Sequence, residues 1–395
     1  MKFRIAECET RNDNSYMPLK VLIAPDKFKG TLTARAAAKA IAHGWRKARP
    51  NDSLKLLPIS DGGDGFGEVI SELVGARPLL CKTVDAAQRP CKATWWWDAK
   101  TKTAIIESAK IVGLAMLPPE QFHPFDLDTF GLGAVLRTAR DRGAKQILVG
   151  IGGSATNDGG LGLARALGWK FFNCDGRLIE RWTDLHGLKR IQPPQRRGFG
   201  RVIVAVDVQN KLLGVRGATR IYGPQKGLQP QDFELAERCL RQLAHVVCSN
   251  GLRPPSSHRR SQSAANTPGS GAAGGLGFGL LAFPGAKLEP GFDLFARHAA
   301  LKHRLRDADL VITGEGAIDR STLMGKGVGQ IAQRCLKLKI PCIGLTGMTV
   351  RSAAVNQFFS EVHTLTDLTS PAQAKAKSSF WLEQLAERTA LEFKL

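Results

Sequence analysis

The sequence predicts an α/β protein with a parallel or mostly parallel sheet flanked by helices, and three observations carry that prediction. Strand-like and helix-like segments alternate from Lys20 onward. The chain is 395 residues long and 43% apolar, which excludes a mainly disordered chain and suggests two or three domains at roughly 100–200 residues each. Glycine- and aspartate-rich loops follow several of the strand-like segments, the positions where open α/β sheets bind ligands.

The elements follow in order. A first apolar strand, Val21 to Ala24, runs into the loop PDKFKG and then a helix in which Ala37, Ile41, Trp45 and Ala48 recur at helical spacing, with Pro50 marking its end. Further strands are expected at Gln146 to Ile151, Arg201 to Val206, Asp309 to Thr313 and Ile340 to Thr346, and helices at Leu132 to Arg142 and Val328 to Leu338. The segment KATWWWD precedes the strand TAIIESA; a strand there puts Trp95 and Trp97 on one face and Trp96 on the other, in core or interface packing. Residues 1–17 carry no periodic pattern and read as a tail, with Met17 an alternative start. Residues 250–268, rich in Pro, Ser, Asn and Arg, read as an exposed, mobile loop.

Composition narrows the function classes. The longest apolar runs fall far short of the roughly 18 residues of a spanning helix, so no membrane partner is expected. The first 17 residues lack an apolar core and a small-residue cleavage site, which points to a cytoplasmic protein. Eight cysteines include no CxxC pair, so neither a zinc site nor a disulfide framework is suggested. The 56 Lys and Arg against 35 Asp and Glu give a net charge of +21, which raises nucleic acid as a partner. The basic residues are scattered and no nucleic-acid-binding motif accompanies them, so a solvated basic surface is the preferred reading.

Chemistry concentrates in a few loops. Ile151 to Gly162, IGGSATNDGGLG, packs Ser154, Thr156, Asn157 and Asp158 among glycines after a strand, where consecutive N–H groups favour an anion. Its opening, Gly150 to Ala155, also fits the dinucleotide fingerprint G-x-G-x-x-A, which keeps a nicotinamide-dependent oxidoreductase open. Two acidic loops follow strands: Ser60 to Gly65 (SDGGDG), and Thr313 to Asp319 (TGEGAID), which leads to Met324-Gly325-Lys326-Gly327. Such carboxylates suit Mg²⁺, which takes one or two of them plus water and phosphate oxygens. Lys29 and Lys326 are placed to meet an anion, whereas Lys27 reads as a surface lysine. The Walker pattern and the protein-kinase motifs are absent. A last glycine cluster, Pro268 to Gly291, reads as a tight loop entering a buried helix close to something bulky.

Taken in order, APDKFKGTLTA, PISDGGDGF, TAIIESAKIVGL, IGGSATNDGGLGLARALG, DVQNKLLGVRGATRIYGPQKG, PGSGAAGGLGFGLLAFPGAKL and DLVITGEGAIDRSTLMGKGVGQIA resemble the glycerate kinase family of the bacterial type 1 class, from about Lys20 to near the C-terminus. Departures are Lys27 for the usual serine, Phe66 for threonine, Lys211 for proline and Ser321 for glutamine. The resemblance implies ATP-dependent phosphorylation of D-glycerate, usually at the 2-hydroxyl, with 3-phosphoglycerate the alternative product. It implies a flavodoxin-like lobe from both chain ends (18–80 and 288–395) and a second α/β lobe inserted between them (81–287), with the site in the cleft. Phosphoryl transfer needs positioning, charge neutralisation and a base. The implied catalytic residues are Asp61, Asp64, Lys29 and Glu315, with Mg²⁺ held by Asp61, Asp64 and Glu315. ATP phosphates are assigned to Gly152, Gly153, Ser154, Ala155, Thr156, Asn157 and Lys326, and the substrate to Asp26, Lys29, Asp207 and Asp319. Oligomeric state is left open.

Overall fold

In a computed structural model, residues 17–195, 198–250, 263–319, 322, 327–349 and 357–394 are described. The strands begin with β1 (Lys20–Ile23), β2 (Ser53–Leu56), β3 (Arg77–Val84), β4 (Pro90–Asp98), β5 (Thr103–Glu107) and β6 (Gln146–Gly150). They continue with β7 (Lys170–Phe172), β8 (Arg190–Gln192), β9 (Arg201–Ala205), β10 (Lys287–Glu289), β11 (Leu310–Ile318), β12 (Cys342–Thr349) and β13 (Glu361–Thr364).

The first sheet is wholly parallel in the order β13-β12-β11-β1-β2. Counted within the sheet this is the 2-1-3-4-5 order of a flavodoxin-like fold, whose ligand crevice lies where the order reverses, here between β1 and β11. The second sheet runs β10-β9-β6-β5-β4-β3, parallel from β10 to β5 and antiparallel across β4 and β3. The hairpin β7-β8 is separate.

Local chemistry explains the elements that matter for the site. The helix Ala34–Ala48 starts where Thr33 accepts the Ala36 N–H at 3.1 Å, and it buries Ala37, Ile41 and Trp45. It ends at Arg49, before Pro50, and the Trp45 indole N–H and Arg49 both donate to buried Asp52. The helix Phe66–Val74 lies between Gly65 and Gly75, both left-handed (φ 90 and 71), a conformation that glycine adopts without steric cost. Phe66, Val69 and Ile70 from it, with Phe292, Leu294 and Phe295 from the helix Gly291–His298, fill one core between the sheets against Ile105, Leu148 and Ile203. Each large apolar side chain fully buried there contributes roughly 1.5–3 kcal/mol. Two further cores lie beyond it, one on the outer face of the first sheet and the other beneath the second.

Several expectations shift. Thr313 to Asp319 is not a loop after a strand, because β11 continues to Ile318, with Glu315 in register with Thr346 of β12. Glycine and glutamate are poor strand formers, but the paired edge of β12 overrides that preference. Trp95 and Trp97 share a face with rings 6.2 Å apart, and Trp96 joins the core on the other side. The glycine cluster does enter a buried helix, Ala272–Ala282, but what lies close is backbone, not bulk: Gly279 faces the Gly160 backbone, and Gly274 faces the Thr156 carbonyl. Of the expected mobile stretch, residues 251–262 lie outside the described residues. Ala264 and Ala265 at its far end are buried, and the Ala265 carbonyl accepts from the Leu212 N–H. The expected tail is likewise outside them, apart from Met17.

Candidate active site

The loop after β2 meets the ends of β5, β6 and β9 in the other sheet, through Glu107, Gly152 and Ala205, and it is tied to the end of β1 where the Ile59 N–H donates to the Pro25 carbonyl. Asp26 follows β1 and is pinned to the switch point, its N–H donating to the Gly314 carbonyl at 2.8 Å. Asp61 follows β2; its Oδ1 accepts the Gly63 N–H at 3.2 Å. Asp207 follows β9, and its Oδ1 accepts the Gly291 N–H at 3.0 Å, at the start of the helix that fills the inter-sheet core. Glycines allow these loops to touch. A Cβ on Gly62 would lie 2.9 Å from the Ala205 Cβ, and one on Gly291 would collide with the Asp61 carbonyl.

Three carboxylates therefore sense one another. Asp26 is buried, and burial together with the Asp61 charge lifts its carboxyl to about 7; the Lys27 N–H and ammonium oppose the lift, and Glu315 adds to it. Asp207 is also pushed up, by burial and by the Asp61 charge, although the residue is exposed and water tempers the effect. Asp61 is half-buried between them.

Lys27, expected at the surface, is instead half-buried among these loops, with Nζ 3.6 Å from Asp64 Oδ2. The sequence neighbour of Asp26 has to lie near the switch point, which is the signal that was available. Asp64 and Lys29 are exposed at the mouth, and the Lys29 backbone borders Gly316. Glu315 and Asp319 meet through Thr322: the Thr322 hydroxyl donates to Glu315 Oε1 at 2.8 Å, and its N–H to Asp319 Oδ1 at 3.3 Å. Lys326 lies outside the described residues.

The glycine loop after β6 is more committed than its sequence suggests. The Gly152 N–H donates to the Gly62 carbonyl, the Ala155 N–H to the Val112 carbonyl and the Thr156 N–H to Ser154 Oγ, so these three amides are not directed at a ligand. Thr156 and Asn157 are fully buried, with Asn157 Nδ2 on Thr219 Oγ1 at 3.2 Å. Gly153, left-handed at φ 75, is the exposed member and borders Asp64. Behind the loop, buried Lys226 donates to the Thr156 carbonyl at 2.6 Å, and burial lowers its ammonium to about 7 against the pull of Asp158. Asp158 accepts from Thr129, Gly160 and Gly162 and ties the loop to the next helices. A lysine inside GPQKG has the local composition of an exposed turn, and only tertiary packing buries Lys226.

Among the described residues no three carboxylate, histidine or cysteine side chains converge to form a metal cage of their own. The family description that matches this chain over residues 21–394 is the glycerate kinase family.

The chain belongs to the glycerate kinase family.

Relatives agree with this membership. A glycerate kinase of Halalkalibacterium halodurans is 37% identical over 331 residues, covering 83% of this chain and 85% of the relative. The Escherichia coli glycerate 2-kinase is 35% identical over 342 residues, covering 83% and 85%. A crystallographic neighbour from Salmonella typhimurium LT2, described as a putative glycerate kinase 2, superposes with a TM-score of 0.78 at 32% identity, covering 95% of this chain and 98% of that one. This family member is a kinase, and its acidic and glycine loops touch where the ends of the two sheets meet. No helix among its described residues is long and apolar enough to cross a membrane.

Proposed function

We propose that this kinase transfers the γ-phosphoryl group of ATP to the 2-hydroxyl of D-glycerate, giving 2-phosphoglycerate and ADP, in the cleft between the two sheets. The observation that carries the reading is the meeting of the loops that bear Asp26, Asp61 and Asp207 after β1, β2 and β9, where burial first and the Asp61 charge second raise Asp26 to about 7. A carboxylate poised near neutrality is matched to accepting a hydroxyl proton. Asp26 takes the proton from the glycerate hydroxyl. The alkoxide oxygen forms a bond to the γ-phosphorus as the bond from that phosphorus to the β,γ-bridging oxygen breaks, and ADP leaves. Lys27 and Lys29 attract the carboxylate and phosphate groups to the mouth as point charges.

Mg²⁺ fits this residue set. Burial first and the Asp61 charge second raise Asp26 and Asp207; a divalent cation would relieve the part due to charge, and Mg²⁺ needs only one or two protein carboxylates when phosphate oxygens and water complete its shell. Asp61 and Asp64 would hold it, with Glu315 fixed nearby by Thr322. When bound, the ion neutralises charge on the transferred group. The two lobes expected from the sequence, 18–80 with 288–395 and 81–287, are the units across whose cleft both substrates bind in this reading.

The name of the Escherichia coli relative supports the 2-position. Phosphorus NMR of the product made from ATP and D-glycerate tests it. A 2-phosphoglycerate signal is expected, and 3-phosphoglycerate as the sole product would overturn the assignment.

A further inference from the structure

We propose that Glu107 is a positioning residue for phosphoryl transfer: from the end of β5 in the second sheet its carboxylate sets the conformation of the acidic loop Ser60–Gly65, which the chain delivers from the first sheet. The inference rests on the reading of Asp61 given above.

The geometry is that of a helix cap supplied from elsewhere in the fold. The helix Phe66–Val74 begins at Gly65, which has no side chain to cap it. The first N–H groups of a helix are left without intrahelical partners and require an acceptor. Glu107 provides both of its oxygens: Oε1 accepts the Gly65 N–H at 3.0 Å and Oε2 accepts the Gly67 N–H at 2.9 Å. The residue is 2% exposed, so these bonds are shielded from water. Burial pushes its carboxyl up, while the two amides and Lys110 pull it down; Lys110 in turn bonds Glu68 at 3.0 Å over the top.

The cap falls on the loop that matters. Gly65 directly follows Asp64, and the same loop is tied to the second sheet again where the Gly62 carbonyl accepts the Gly152 N–H at 3.2 Å. Gly67 packs so closely on the Trp96 ring that a Cβ would collide with it. On its other side the loop is anchored to the first sheet, with the Ile59 N–H on the Pro25 carbonyl at 2.9 Å, one residue from Asp26. The loop carrying Asp61 and Asp64 is thus stretched between the two sheets, and Glu107 is the charged group that fixes its far end. Glu107 itself is buried behind the loop, so it acts through the loop and not on the substrates.

Glu107→Gln is isosteric but sets an NH₂ group against one of the two amides. It is expected to lower kcat by roughly tenfold or more, with the KM values for ATP and D-glycerate within about threefold. Amide hydrogen exchange over residues 61–67 should accelerate selectively. The double variant Asp61→Asn/Glu107→Gln should lose no more than Asp61→Asn alone, because residues acting through one another are non-additive. Glu107→Asp keeps the charge but is one methylene short, and it supplies the same measurements where the glutamine variant does not fold. Turnover in Glu107→Gln within about twofold of the parent, or a double-variant loss equal to the product of the single losses, would overturn the role of Glu107. Near-normal turnover in Asp61→Asn would instead overturn the site reading on which it rests.

Discussion

Replacing Asp26 with asparagine isolates the electrostatic cost of the cleft. Asp26 is buried beside Asp61 and its carboxyl is raised from 3.8 to about 7. At about 1.36 kcal/mol per pH unit, raising the carboxyl from 3.8 to about 7 makes the ionised form cost on the order of 4 kcal/mol. The sign follows from proton counts. Between about pH 4 and 7 the folded chain holds a proton on Asp26 that the unfolded chain has released, so this group's contribution is full below about pH 4 and is lost as pH rises through about 7. The asparagine side chain is always neutral and keeps an acceptor for the Lys27 N–H, which donates to Asp26 at 2.7 Å. Urea unfolding at intervals from about pH 4 to 8.5 should show Asp26→Asn matching the parent at the acid end. It should gain on the parent steadily, by up to about 4 kcal/mol, through about pH 8. Turnover should fall severely over the same range, since the proton acceptor is gone. A variant destabilised by the same amount at every pH would refute the claim that Asp26 carries a buried charge for function.

Other perturbations read other parts of the account. Gly274→Ala places a Cβ against the Thr156 carbonyl at a left-handed backbone (φ 71), so a loss of at least about 2 kcal/mol is expected in thermal unfolding, and an unchanged Tm would contradict the packing described. Lys226, lowered to about 7 from 10.5, leaves the folded chain with fewer bound protons than the unfolded chain between those values. Its contribution therefore makes stability rise with pH across that window, and Lys226→Met should flatten the rise in urea titrations from about pH 7 to 10. Both proposed substrates are anions and the chain carries +21, so raising salt should lower kcat/KM more than kcat. A salt-independent kcat/KM would remove electrostatic steering.

The sequence made the architecture legible where periodicity and turn chemistry agree. The first strand–loop–helix unit, the strands β6 and β9 and the helix Gly327–Leu338 lie within a few residues of their expected bounds. The placement of Asp26, Asp61 and Asp207 just after strands was legible, because Pro-, Gly- and Asp-containing stretches that follow apolar runs mark strand ends. Three features were hidden. Glu315 sits within a strand whose residues look like a loop, since only the partner strand β12 stabilises it there. The amides of Gly152, Ala155 and Thr156 bond to Gly62, Val112 and Ser154, a commitment that depends on contacts 2 to 90 residues away along the chain. Glu107 and Lys226 are charged side chains buried by tertiary packing, and local composition reports them as a strand end and a turn.

The central claim is that the cleft between the sheets phosphorylates D-glycerate at the expense of ATP. Measuring ADP release by the full chain with ATP and Mg²⁺, with and without D-glycerate, tests it most directly. The account predicts ADP formed only when D-glycerate is present, in a one-to-one ratio with phosphoglycerate. ADP release indifferent to D-glycerate, or none at all, would contradict it.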